Sequence, residues 1–266
     1  MSTLPAFDTL QLDLQETTGI ATLWLNRPDS RNALNLRMCH ELTAACEALE
    51  ASAAVRVIVL RARGVAFCAG ADLKERQGMS PAEMVARRVD GFTAYAALEA
   101  MSKPLIAAVH GAAFGSGCEI AAACDFVLAT SEAAFKYPEV GWGTVGATQR
   151  LPRIVGRRMA KELLFTGRTV DAQEALRLGL VNHVYEPQAF DAAIAGMAER
   201  IAAANPLTVQ LTKQCIDDGL DTTREGAMAI ELVAIQQNLR HSDWRKAISG
   251  FGRKPDAVQE KGDAAA

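Results

Sequence analysis

Short runs of apolar, strand-forming residues alternate along the first part of the chain with longer stretches whose apolar positions recur at helical spacing. Residues 20–25 (IATLWL) predict a strand, closed by the turn residues Asn26, Arg27, Pro28 and Asp29. Leu36, Cys39, Leu42, Ala45, Cys46 and Leu49 share one helical face, and residues 55–60 (VRVIVL) predict a second strand. A loop over 63–72, a helix over 81–101 and a buried strand over 104–109 (PLIAAV) follow. Ser116 opens a short helix, 125–129 (DFVLA) predicts another strand, and Gly141, Gly143 and Gly146 mark an irregular loop. Beyond Gly156 the pattern becomes helical, with helices expected over 157–166, 171–178, 187–204, 206–217 and 223–239 and one strand over 181–184. Alternating β and α elements followed by consecutive helices imply an α/β core with a helical C-terminal portion.

Composition narrows the function classes. The chain has 266 residues, half of them hydrophobic, with 28 Lys and Arg against 31 Asp and Glu, a net charge of −3. That balance describes a globular chain with a sizeable core, and it argues against a dedicated nucleic-acid binder, which carries a strongly basic domain. The six cysteines (Cys39, Cys46, Cys68, Cys118, Cys124, Cys215) form no Cys-x-x-Cys pair, so neither a zinc site nor a disulfide framework is expected. They read as small buried hydrophobes in a reducing compartment. Residues 1–26 hold no Lys or Arg and carry Asp8, Asp13 and Glu16, unlike an export signal, and no apolar run approaches the ~18 residues of a membrane span. A cytoplasmic protein is expected.

Several motifs carry competing readings. Gly141-Trp-Gly-Thr-Val-Gly146 matches G-x-G-x-x-G, but no hydrophobic strand precedes it and arginines follow it. Dinucleotide binding is therefore disfavoured against a loop passing close to a ligand. Arg150, Arg153, Arg157, Arg158 and Lys161 could serve phosphates or RNA, yet no stacking aromatics are interleaved, and a solvated helix face is the usual explanation of such a run. Ser116 and Glu119 have the S-x-x-E spacing of a capping box. The four histidines are scattered, so no metal constellation emerges, and no G-x-S-x-G elbow is present. Phe67-Cys-Ala-Gly-Ala-Asp72 combines small residues with an acid, which suits either a tight turn or a backbone exposed to a ligand.

Taken in order, these segments resemble the enoyl-CoA hydratase/isomerase, or crotonase, family over about residues 20–254. The resemblance rests on Asn26-Arg27-Pro28 with Asn32-Ala33-Leu34, on 67–74 (FCAGADLK), on 110–119 (HGAAFGSGCE), on Cys124-Asp125, on Pro138-Glu139 and on 148–152 (TQRLP). It implies an α/β fold, a spiral of ββα units over 1–200 carrying the acyl-CoA site. A helical region over 201–266 would drive assembly into a trimer or a dimer of trimers. The implied substrate is an acyl-CoA thioester, with no metal or redox cofactor.

The family's oxyanion hole, two backbone N–H groups facing the thioester oxygen, falls on Ala69 and Ser116. Each such donor is worth about 10²–10³ in rate, and a helix N-terminus favours developing negative charge. The two glutamates of its hydratases fall on Glu119 and Glu139, which weighs Glu119 towards catalysis and away from capping. Glu139 is assigned as the acid delivering the α-proton and Glu119 as the base activating water. The CoA portion is expected along the backbone of Ala69, Gly70, Ala71 and Asp72, with Arg27, Arg31, Arg253 and Lys254 as candidate phosphate partners that a surface-charge reading explains equally well. Two departures stand out: Ser116 replaces the usual glycine, and the loop between Glu139 and Gln149 is about three residues short and holds Trp142, which implies an altered acyl pocket. An isomerase or dehydratase on a specialised substrate is the alternative within enzymes, and an RNA-binding scaffold the alternative outside them.

Overall fold

The computed structural model describes residues 4–249. Its first unit, residues 1–213, repeats one theme: a strand, a second strand and a helix. Strands β1 (Leu10–Gln15) and β2 (Ile20–Leu25) pair antiparallel and lead to helix α1 (Leu36–Ala51), whose N-cap Asn35 accepts a hydrogen bond from the Met38 N–H. The next repeat is β3 (Val57–Ala62), β4 (Ala66–Cys68) and α2 (Pro81–Glu99), the helix opened by a Ser80–Glu83 capping box and Pro81. Then come β5 (Leu105–Val109), β6 (Ala112–Phe114) and α3 (Ser116–Ala122). A fourth set is β7 (Phe126–Thr130), β8 (Ala134–Lys136) and α4 (Arg150–Thr166), which is broken at Gly156 where φ is +78°.

The first strand of each later repeat joins one sheet and the second joins another. The larger sheet runs β1-β2-β3-β5-β7-β10, parallel from β2 onward, and ends on β10 (His183–Tyr185). The smaller runs β4-β6-β8-β9, parallel except for the final antiparallel strand β9 (Thr169–Asp171). Both faces of the larger sheet are buried at its centre, so β3, β5 and β7 read as largely apolar runs, whereas the edge strand β1 alternates. Leu60, Leu105, Ala107 and Val109 face the main core with α1 and α2, whereas Val57, Val59, Ile106 and Leu128 pack on Phe190, Ile194 and Ala198 of α6 (Pro187–Ala203). Helix α5 (Ala172–Leu178) is capped by Asp171.

The second unit begins at Gln214, within α7 (Pro206–Leu220); the sequence expectation set that boundary after residue 200. It contains α8 (Arg224–His241), capped by Thr223, and α9 (Trp244–Ser249). Helix α8 leaves Met228, Leu232, Val233, Ile235 and Leu239 exposed and buries Ala234.

Two expectations are corrected. Residues 63–72 are not a continuous loop, because β4 lies within them, and the region beyond Gly156 contains a second strand, β9. All six cysteines are unpaired, five of them buried. Among the described residues no helix is long and apolar enough to cross a membrane, and no group of three or more His, Cys, Asp or Glu could hold a metal ion.

Candidate active site

Parallel pairing places the C-terminal ends of β4, β6 and β8 side by side. The residues that follow them, from Ala69, Ser116 and Pro138 onward, line one cleft of about 750 Å³, part of it open to solvent. Close approach of α3 to the end of β4 depends on a missing side chain: a Cβ on Gly117 would lie 2.3 Å from the Cys68 carbonyl oxygen. Only glycine permits that approach, and it brings the first turn of α3 against the backbone beside Ala69.

The Ser116 N–H, first in α3, has no acceptor within the helix and is a donor at a positive dipole end. The Ala69 N–H donates to the Arg31 carbonyl at 3.0 Å, so it meets a ligand oxygen by sharing that hydrogen or leaving Arg31. Burial raises the pKa of the Tyr95 hydroxyl, and the neighbouring Ser116 opposes the rise.

The S-x-x-E spacing forms no capping box. Gly115, with φ +48°, precedes the helix and no side chain caps it. Instead Glu119, 7 % exposed, turns its Oε2 to Arg150 Nη1 at 3.1 Å, and Arg150 grips Glu99 through two bonds of 2.6 Å. The guanidinium also lies over the Tyr95 ring, 5.3 Å from its centroid. Arg150 thus leaves the basic helix face on which its sequence neighbours placed it. Burial raises the Glu119 pKa, Arg150 opposes the rise, and the Glu139 charge adds to it. Burial also raises the Glu139 pKa, opposed by its own backbone N–H and by Arg88. Glu119 Oε1 and Glu139 Oε2 are both buried without a hydrogen-bond partner in the protein. Two unpartnered carboxylate oxygens on one cleft are suited to holding a water molecule between them.

The segment that carries Glu139 is built otherwise. Residues 140–142 make one 3-10 turn, Thr144 N–H donates to the Glu139 carbonyl at 3.0 Å, and Gly143 is left-handed at φ +66°. The G-x-G-x-x-G segment therefore forms a ligand-side loop: Trp142, Thr144 and Gly146 line the cleft, with Trp142 68 % exposed. Ala147 also takes a left-handed conformation, φ +54°.

Ala69, Gly70 and Ala71 line the cleft as backbone. Leu34 bridges across them, its N–H to the Gly70 carbonyl at 2.8 Å and its carbonyl to the Asp72 N–H at 3.0 Å. The Asp72 carboxylate binds Arg27 at 3.1 Å and accepts from the Lys74 and Glu75 N–H groups, and Arg27 also donates to the Ala33 carbonyl. These two charges brace the loop that presents the small residues. Arg31 is exposed at left-handed φ +49°, and Arg253 and Lys254 lie outside the described residues. Sequence reasoning missed Arg76, Arg87, Arg88 and Tyr95, all of which line the cleft from α2 or the segment before it. The available signal was the Arg87-Arg88 doublet inside an otherwise Ala-rich helix.

Comparison with known proteins agrees with this architecture. The enoyl-CoA hydratase/isomerase family model matches residues 15–261. The crotonyl-CoA hydratase of Syntrophomonas wolfei is 38 % identical over 95 % of this chain and 98 % of its own length. The short-chain-enoyl-CoA hydratase of Clostridium acetobutylicum is 38 % identical over 91 % and 94 %. Among solved structures, an enoyl-CoA hydratase of Mycobacterium smegmatis superposes with a TM-score of 0.89 at 35 % identity, covering 94 % of this chain and 98 % of that one. The chain belongs to the enoyl-CoA hydratase/isomerase family.

Proposed function

We infer that the protein is an enoyl-CoA hydratase, a hydro-lyase that reversibly adds water to a trans-2-enoyl-CoA and gives the 3-hydroxyacyl-CoA. The observation that carries this reading is the pair of buried, unpartnered carboxylate oxygens on Glu119 and Glu139 in one cleft. Glu119, held beside Arg150, which opposes the rise of its pKa, takes a proton from water as the water oxygen bonds to C3 of the acyl group. Electrons of the C2=C3 bond move onto the thioester oxygen, where the N–H groups of Ser116 and Ala69 receive the charge. Glu139, with no ion pair among the described residues, holds the proton that goes to C2. One water is added, no electron is gained or lost, and neither a metal nor a redox cofactor is required.

We place the CoA portion along the backbone of Ala69 to Asp72, with the exposed Arg31 as a partner for its phosphates. We further propose a trimer or a pair of trimers in the cytoplasm: the exposed apolar residues of α8 favour assembly, and the unpaired cysteines favour a reducing compartment.

The test is the loss of near-ultraviolet enoyl-thioester absorbance on mixing the protein with crotonyl-CoA, beside a Glu139→Gln variant. The wild type is expected to consume the absorbance and the variant to be slower by about 10²–10⁴-fold. Equal turnover by both overturns the two-carboxylate mechanism. Retained absorbance with a shifted double bond in the product makes the protein an isomerase.

A further inference from the structure

The cleft holds more positive charge than the hydration step uses. Three arginines line it from one side, Arg76, Arg87 and Arg88. Arg87 is neutralised, its Nε 2.8 Å from Glu75 and its Nη2 2.8 Å from the Leu34 carbonyl. The other two are not. Arg88 Nη2 donates to the Thr144 hydroxyl and has no carboxylate within 4 Å among the described residues. The Arg76 side chain is half-buried, makes no hydrogen bond or ion pair among the described residues, and its Nε is buried without a partner. Burial lowers the Arg76 pKa, and the neighbouring Arg88 and Arg87 charges lower it further. Two guanidiniums crowded together, with Glu75 and Glu139 acting on them only from beyond ion-pair distance, are costly, and they persist where an anion completes them.

Position says which part of a thioester that anion belongs to. Gly115, next to the Ser116 donor, sits with its Cβ position 3.1 Å from Glu139 Oε1. Gly146 sits against the same side chain, its Cβ position 3.0 Å from Glu139 Cγ and 3.1 Å from Arg88 Nη1. The order along the wall is therefore donor, proton-delivering carboxyl, then Arg88. A thioester whose carbonyl meets Ser116 and whose C2 meets Glu139 sends the rest of its acyl chain towards Arg88, while the nucleotide lies many bonds away on the other side of the sulfur. Elsewhere on the wall the charges are engaged: Glu119 is paired with Arg150, which Glu99 shares, and Arg87 with Glu75. Arg76 and Arg88 are the guanidiniums of this wall that make no ion pair among the described residues.

We propose that the preferred substrates are enoyl-CoA thioesters whose acyl chain carries a second, anionic group, a carboxylate beyond the double bond, bound by Arg88 and Arg76. This rests on the hydratase reading and adds the chemistry of the acyl end. The guanidinium planes suit a carboxylate, which accepts two parallel hydrogen bonds. Thr144, hydrogen-bonded to Arg88, and the exposed Trp142 line the same cleft.

The experiment compares 4-carboxybut-2-enoyl-CoA with pent-2-enoyl-CoA, its neutral counterpart of similar length, on the wild type and on Arg76→Gln, Arg88→Gln and Arg76→Lys. In the wild type kcat/KM is expected to be higher for the acidic thioester. Each Gln variant is expected to lower the acidic-to-neutral ratio by about tenfold to a hundredfold, and Arg76→Lys to restore part of it. Calorimetry gives a readout without turnover: glutaryl-CoA should bind the wild type more tightly than valeryl-CoA, and that difference should vanish in the folded Gln variants. A wild-type preference for the neutral thioester overturns the proposal. So does an Arg76→Gln variant that loses free CoA as severely as glutaryl-CoA, because the arginine then serves the CoA phosphates. Hydration of neither thioester by the folded wild type overturns the hydratase reading instead.

Discussion

The two walls of the cleft carry one glutamate each and are built on opposite principles. Glu119 rides a buried helix, is tied to Arg150 and through it to Glu99, and stands behind a glycine that admits no side chain. Glu139 opens a loop of glycines, has no ion pair among the described residues, and is followed by exposed Val140, Trp142 and Val145. The helix wall fixes the reacting oxygens where charge develops, which is what electrostatic catalysis needs. The loop wall can differ in length and side chains without disturbing that register. Under the proposed mechanism the base stands on the rigid wall and the acid on the adaptable one.

The contrast can be broken from either side. The largest effect is expected from neutralising the rigid wall: Glu119→Gln should slow crotonyl-CoA hydration by about 10²–10⁴-fold with the fold intact, measured by stopped-flow absorbance and circular dichroism. Near-wild-type turnover would return Glu119 to a structural role. Next is the pair of alanines Gly117→Ala and Gly141→Ala. The first drives a Cβ into the Cys68 carbonyl and should cost about 3 kcal/mol of stability, whereas the second meets nothing within 4 Å and should stay within about 0.5 kcal/mol. Equal denaturation midpoints would show the walls to be alike.

A smaller effect sharpens the comparison through pH. Arg150 opposes the rise in the Glu119 pKa, so Arg150→Gln lets that pKa climb further. The acidic limb of the kcat/KM profile, which reports ionisation of the base, should move to higher pH, with roughly tenfold less activity at neutral pH. The smallest effect is on stability. The Glu139 pKa is raised in the folded protein, so the native state binds the proton more tightly than the unfolded chain. Its contribution is therefore full below the ordinary carboxyl pKa and is lost as pH rises through the raised one. Glu139→Gln, which never ionises, should be the more stable protein at neutral pH by about 0.5–2 kcal/mol, although it is expected to be the slower enzyme.

Long elements were legible in the sequence because their patterns repeat enough times to be read: the run 20–25 and the apolar face of Leu36 to Leu49 emerge as β2 and α1. Strands β4, β6, β8 and β9 were not, since each has three residues and no period can be established over so few. Strand β1 did carry a signal, the alternation of Leu10, Leu12 and Leu14. At the site, Glu119 and Glu139 were found by motif. The partners that set their behaviour were not, because Arg150 reaches Glu119 across 31 positions and Arg88 reaches Thr144 across 56. Arg150 shows the limit best: in sequence it belongs to a basic cluster, and only the packing of α4 on α3 turns it inward.

The parallel ends of β4, β6 and β8 have a consequence for how such a protein can change over generations. Successive repeats deliver Ala69, then Ser116 with Glu119, then Glu139, so each repeat owns a separate task. A substitution at the tip of one repeat can rewrite its task while the neighbours keep theirs. The architecture is modular at the level of inheritance: under the proposed mechanism, acid, base and charge-receiving amides can be exchanged one at a time without rebuilding the two sheets beneath them.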